Sequence, residues 1–134
     1  MEKLYICPTS ITPEVNFSPQ DNIFFIRGIS SPEDVRAMYY PVIEWIMEYV
    51  NELLEAKAGN YTHESPLKFT TELAYFNSSS AKFLYDIFLE IKRLTPAGIP
   101  FIVEWVYEEE DLDLKEAGAD IALLVDMDFL YISK

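Results

Sequence analysis

Tyr75-Phe76-Asn77-Ser78-Ser79-Ser80-Ala81-Lys82 joins two segments of different periodicity. Upstream, Leu67 to Phe76 is apolar and β-prone. Leu67, Phe69, Thr71, Leu73 and Tyr75 share one face of a strand, and Lys68, Thr70, Glu72, Ala74 and Phe76 share the other. Its last residues are apolar on both faces, which predicts an interior place in a sheet. Downstream, Ala81 to Leu94 is helical, with Phe83, Leu84, Ile87, Phe88, Ile91 and Leu94 as its buried stripe. Between the two lie one Asn and three Ser, with no Gly or Pro. Asn or Ser at that place accepts hydrogen bonds from the free N–H groups of a helix start. The same place presents hydroxyls at the positive end of a helix, where an added anion is well received. The turn therefore reads as a helix cap, a phosphorylation site, or both.

The pattern extends in both directions. Ile99 to Tyr107 is apolar except for Pro100 and Glu104 and reads as a second buried strand, so residues 67–107 predict a right-handed parallel crossover. Toward the N-terminus, 4–7 is a short strand ended by Pro8, and 14–17 with 23–27 make a hairpin whose second strand ends at Gly28. Ser31-Pro32-Glu33-Asp34 is a helix start with Ser31 as its cap. Pro41 is expected to interrupt that helix, leaving a short turn over 32–39 and a main amphipathic helix over 41–57, stopped by Gly59-Asn60. Toward the C-terminus come an acidic loop, 108–113, a helix over 113–125 and a last strand over 129–132. The order β-β-β-α-β-α-β-α-β predicts one α/β (α+β) domain over residues 1–134, a mixed sheet with packed helices.

Composition narrows the functions. Half of the 134 residues are apolar and 15% are aromatic, enough for a core. Twenty-three acids against ten bases give a net charge of −13. That excludes nucleic acid or an anionic membrane as the main partner, since both are polyanions. No apolar run reaches membrane-span length, and Met1-Glu2-Lys3 starts no signal peptide pattern. One cysteine, Cys7, excludes an intrachain disulfide and suits a cytoplasmic location; it is expected to be a small buried hydrophobe.

Catalytic and cofactor signatures are missing. A serine hydrolase wants its nucleophile on a sharp Gly-flanked turn with a His and an acid. Ser78 follows a strand and precedes a helix, but no glycine flanks it and nothing brings the only histidine, His63, to it. Glycines 28, 59, 98 and 118 are too scattered for a phosphate-binding loop. His63 lacks the partners of a metal site. Asp111 and Asp113 begin like a calcium loop, but its glycine and final glutamate are absent. Neither cofactor nor metal is expected. A small ligand-binding or Ser-dependent enzymatic domain, using the Ser78 turn as an anion site, is the alternative to a regulatory protein.

Thr12-Pro13-Glu14-Val15, Ser31-Pro32-Glu33-Asp34, the Tyr75–Lys82 stretch, Trp105-x-Tyr107 followed by acids, and Glu116-Ala117-Gly118 occur in this order along nearly the whole chain. Together they resemble the SiaC family of bacterial regulatory phosphoproteins; Asn-Ser-Ser-Ser-x-Lys after Tyr-Phe is the most specific piece. The resemblance implies a single STAS-like domain, similar to anti-sigma-factor antagonists, that is not an enzyme. It implies a Ser/Thr protein kinase acting on Ser78, a PP2C-type phosphatase reversing it, and an effector such as a diguanylate cyclase bound by the unphosphorylated form. Cyclic di-GMP and biofilm formation or aggregation would follow. Asn77, Ser79, Ser80 and Lys82 are the supporting turn and interaction residues. Asn77 is read as holding the turn or as an ordinary helix cap, and Lys82 as a solvent-exposed helix lysine or as one that pairs with the phosphate or docks the kinase.

Overall fold

A computed structural model describes residues 1–56 and 61–134. Its elements are β1 (Leu4–Ile6), β2 (Glu14–Ser18), β3 (Ile23–Ser30), α1 (Val35–Ala56), β4 (Leu67–Phe76), α2 (Ser78–Lys92), β5 (Phe101–Tyr107), α3 (Leu112–Val125) and β6 (Leu130–Ser133). The fold is mixed α/β, as the periodicities require. One sheet runs in the order β1-β2-β3-β4-β5-β6. The first three strands pair antiparallel, and β3 to β6 pair parallel.

Each crossover steps to the next neighbouring strand, so right-handed connections stack all three helices on one face of the sheet. Burial follows that division. Val15, Phe17, Ile26, Phe69, Leu73 and Trp105 are buried toward the helices, with Tyr39, Val42, Leu84, Ile87 and Phe88 packed onto them. The other face is polar: the Glu14 carboxylate takes the Tyr5 hydroxyl and the Arg27 Nε, both at 2.6 Å. Those two bonds hold Glu14 below the usual carboxylate range, and the bond to Glu14 pushes Tyr5 up to about 12.

Several boundaries differ from the local expectation. Strand β3 continues through Gly28, at φ +113°, to Ser30. Opposite it, Gly28 pairs with Leu73 but Ile29 pairs with Tyr75, so Ala74 is an extra residue in β4. This bulge breaks the alternation. Tyr75, which strict alternation places on the face of Phe69 and Leu73, is 54% exposed, and the half-buried Phe76 meets Trp105 edge-on at 5.8 Å.

Helix α1 is continuous through Pro41. The proline ring faces solvent while Tyr39, Val42 and Ile46 on either side are buried. Packing of that stripe offsets the one hydrogen bond the proline removes. The start moves too: Asp34, not Ser31, caps it, accepting from the Ala37 N–H at 3.1 Å. The Ser31 N–H instead donates to the Ile11 carbonyl at 2.7 Å, which holds Ser31 outside the helix. The expected stop at Gly59-Asn60 lies outside the described residues. Cys7 is exposed rather than buried, because it follows the three-residue edge strand β1 into solvent.

Helix α3 lies very close to β5. A Cβ placed on Gly118 would fall 2.5 Å from the Trp105 indole, whose Nε1 donates to the Leu114 carbonyl at 3.0 Å. Alanine ordinarily improves a helix over glycine by about 1 kcal/mol. Here Gly118→Ala should instead lower the unfolding free energy by about 1–3 kcal/mol, the cost of overpacking. Urea denaturation with the Trp105 fluorescence as reporter measures it; an unchanged or higher midpoint would contradict this packing.

Candidate functional site

The end of β4 and the start of α2 form one hydrogen-bonded unit. Asn77 is extended, at φ −86° and ψ 173°, and is the residue before the first helical turn. Its Oδ1 accepts from the Ser80 N–H at 2.9 Å. Its own N–H donates to the Ser30 carbonyl at 3.0 Å, tying the turn to the end of β3. The helix begins at Ser78, three residues before the apolar periodicity does, because Asn77 supplies the cap that lets the serines enter the first turn.

The three serines have different surroundings. Ser80 is fully buried. Its Oγ donates to the Ser30 carbonyl at 3.1 Å and accepts from the Ser30 Oγ at 2.8 Å. The Ser30 Oγ also shares a 2.6 Å hydrogen bond with the Tyr39 hydroxyl of α1. Burial pushes the Tyr39 phenol above its usual pKa, with the hydroxyl contacts to Ser30 and Ser80 acting the other way, so it stays a neutral group. Ser78 and Ser79 are exposed. One turn along, Lys82 Nζ pairs with Asp86 Oδ2 at 2.8 Å and lies 5.2 Å over the Phe83 ring. No acid lies in the first turn of α2, so nothing local opposes an anion at its positive end.

The turn opens beside exposed apolar side chains. Ile29 and Tyr75, paired in register after the bulge, are both exposed. Tyr40 is exposed as well and meets Phe83 edge-on at 5.9 Å. His63 lies in the loop before β4 while Ser78 follows its other end. A ten-residue strand separates them by about 30 Å, which rules out a Ser–His pair. Among the described residues, no three His, Cys, Asp or Glu side chains are placed to hold a metal ion. No helix among them is long and apolar enough to cross a membrane.

Sequence reading missed a cleft at the same end of the sheet. The pairing of β4 with β5 ends at Thr71 and Trp105, and beyond it the strands part around a cavity of about 340 Å³. Lys134 bridges its mouth, 2.8 Å from Glu72 and 3.7 Å from Glu108, and these carboxylates raise the ammonium's pKa, the hydrogen bond to Glu72 most. No local pattern links residues so far apart in sequence.

The one-sided α/β sheet presents a capped turn with Ser78 and Ser79 exposed, and the family that shares this sequence is one of regulatory proteins. The chain belongs to the SiaC family of regulatory phosphoproteins, whose model matches residues 6–134. SiaC of Pseudomonas aeruginosa superposes with a TM-score of 0.77 at 25% identity, covering all of this chain and 98% of that one. The same fold recurs in the crystal structure of the diguanylate cyclase SiaD with its activator SiaC, also from P. aeruginosa (TM-score 0.79, 23% identity, 97% of each chain). A protein of P. aeruginosa strain UCBPP-PA14 is 25% identical over 120 residues, 90% of this chain and 87% of that one.

The bonding around the turn sets its stability. Asn77→Ala should cost about 1 kcal/mol, as for other cap losses. Ser80→Ala, which strips a buried hydroxyl from Ser30, should cost about 1–3 kcal/mol. Ser79→Ala should change little. Denaturant midpoints of the three variants check the ranking; equal effects at 79 and 80 would refute the inequivalence of the serines.

Proposed function

We propose that this protein is a STAS-like phosphorylation switch with Ser78 as its acceptor. Unphosphorylated, it binds and activates an effector, for which a diguanylate cyclase is the best candidate, so that cyclic di-GMP rises and biofilm formation or aggregation is promoted. A Ser/Thr protein kinase adds the phosphate and a PP2C-type phosphatase removes it, in the cytoplasm. The family is described as one of phosphoproteins, and a structural relative is an activator of a diguanylate cyclase. The observation that carries the assignment is the contrast within the serine run: Ser78 and Ser79 are exposed in the first turn, whereas Ser80 is fully buried between Ser30 and Tyr39, and the family resemblance selects Ser78 of the two exposed residues.

The physics of release is local. A phosphoserine adds about −1.5 to −2 charges and three strong acceptor oxygens. At the start of α2 this dianion suits the helix. It also stands one turn from Lys82, so it competes with Asp86 for that ammonium. A partner packed on Ile29, Tyr75 and the turn meets a bulky hydrated anion in place of a hydroxyl, on a molecule already at −13. Desolvating that group costs more than the contact returns.

Titrations of a purified cognate cyclase with wild type, Ser78→Ala and Ser78→Asp test the switch. Ser78→Ala should bind as wild type does, and Ser78→Asp about tenfold or more weakly. Equal affinities for the two variants would sink the model. Phosphopeptide mass spectrometry after co-expression with the cognate kinase should place the phosphate on Ser78 and leave Ser80 unmodified; phosphate on Ser79 alone would move the acceptor by one residue.

A further inference from the structure

Helix α3 is apolar on two opposite sides. Its inner side, with Leu114, Gly118, Ile121, Ala122 and Val125, is buried against the sheet. At about 100° per residue, Leu112, Glu116, Ala119 and Leu123 fall together on the outer side. There Leu112 is 64% exposed and Leu123 81%; Leu124, exposed as well, lies about 100° round the helix from Leu123. One exposed leucine is ordinary. Leu112, Ala119 and Leu123 form a narrow exposed apolar stripe about 17 Å long opposite a fully packed one, the mark of a face that another element covers.

Charge decides what covers it. Asp113, Glu116 and Asp120 run along one edge of the stripe, and all three are exposed. Glu108, Glu109 and Glu110 precede it, and Asp126 and Asp128 follow it. From Glu104 to Asp128 the one base is Lys115, which lies 5.6 Å over the Tyr107 ring. A second copy of this chain would bring the same acids against these, which is repulsive. The occupant must carry positive charge around an apolar seam.

We infer that the outer face of α3 docks a basic amphipathic helix of a partner protein. Leu112, Ala119 and Leu123 supply the ridge that packs into the helix's grooves. Asp113, Glu116 and Asp120 pair with lysines or arginines along one of its flanks, which speeds encounter and sets orientation. This surface does not depend on the serine switch, since none of its residues belongs to the turn.

The test uses the full chain and an 18-residue peptide of leucine and lysine in amphipathic helical order. A scrambled peptide of the same composition is the control. Backbone amide shifts of the labelled protein should map to residues 112–124, and the ordered peptide should bind more tightly than the scrambled one. Leu112→Ser/Leu123→Ser keeps the charge and should weaken binding about tenfold or more, as loss of buried leucine surface predicts. Leu89→Ser, on the exposed side of α2, should leave it unchanged, and circular dichroism verifies that each variant is folded. Equal binding of the scrambled peptide, equal loss in Leu89→Ser, or shifts confined to α1 and α2 would overturn the proposal. So would sedimentation showing a dimer of the free chain that Leu112→Ser/Leu123→Ser dissolves, because the occupant would then be a second copy.

Discussion

One carbonyl oxygen, that of Ser30, ties the molecule together at the working end of its sheet. It accepts from the Asn77 N–H and from the Ser80 hydroxyl, at 3.0 and 3.1 Å. The Ser30 side chain meanwhile joins Tyr39 to Ser80. The end of β3, the second turn of α1, the end of β4 and the first turn of α2 thus share one buried hydrogen-bond cluster. Each of its polar groups is removed from water, so each must be matched. That requirement fixes the exit of β4 and the entry angle of α2, and with them the direction in which Ser78 and Ser79 face.

A second constraint is the one-sided sheet. Strictly sequential parallel crossovers put every helix on the same face, and the opposite face becomes a polar surface of paired charges such as Glu14 with Arg27. A single helical layer must then bury the whole apolar side. At α3 it does so by close approach, with Gly118 set against Trp105. The outer side of that same helix carries leucines that no element among the described residues covers.

The serine turn combines two uses of one physical feature. A helix start has unsatisfied N–H groups and a positive field. Asn77 satisfies one of those groups, Ser80 is spent on the interior, and Ser78 is left in solvent beside Ile29 and Tyr75. The capping by Asn77 leaves Ser78 free for the phosphate proposed above, so the two uses do not compete. The family's description as regulatory phosphoproteins agrees with a turn that presents exposed hydroxyls at a helix start.

The sequence alone determined the order of the elements, the buried stripes of α1 and α2, and the place of the strand-to-helix turn. Those follow from periodicity and short-range hydrogen bonding, which a window of ten residues contains. It also singled out Asn77–Lys82 as the candidate site. The tertiary structure decided the rest. Whether Pro41 breaks a helix depended on how tightly Tyr39, Val42 and Ile46 pack, which no local window states. The bulge at Ala74, which exposes Tyr75 and turns the half-buried Phe76 toward Trp105, depended on the register between β3 and β4. The ranking of three identical serines depended on Ser30 and Tyr39, distant in sequence and adjacent in space. The cleft bridged by Lys134 depended on where β4 and β5 stop pairing. In each case the deciding interaction is long-range, and only the folded chain brings its partners together.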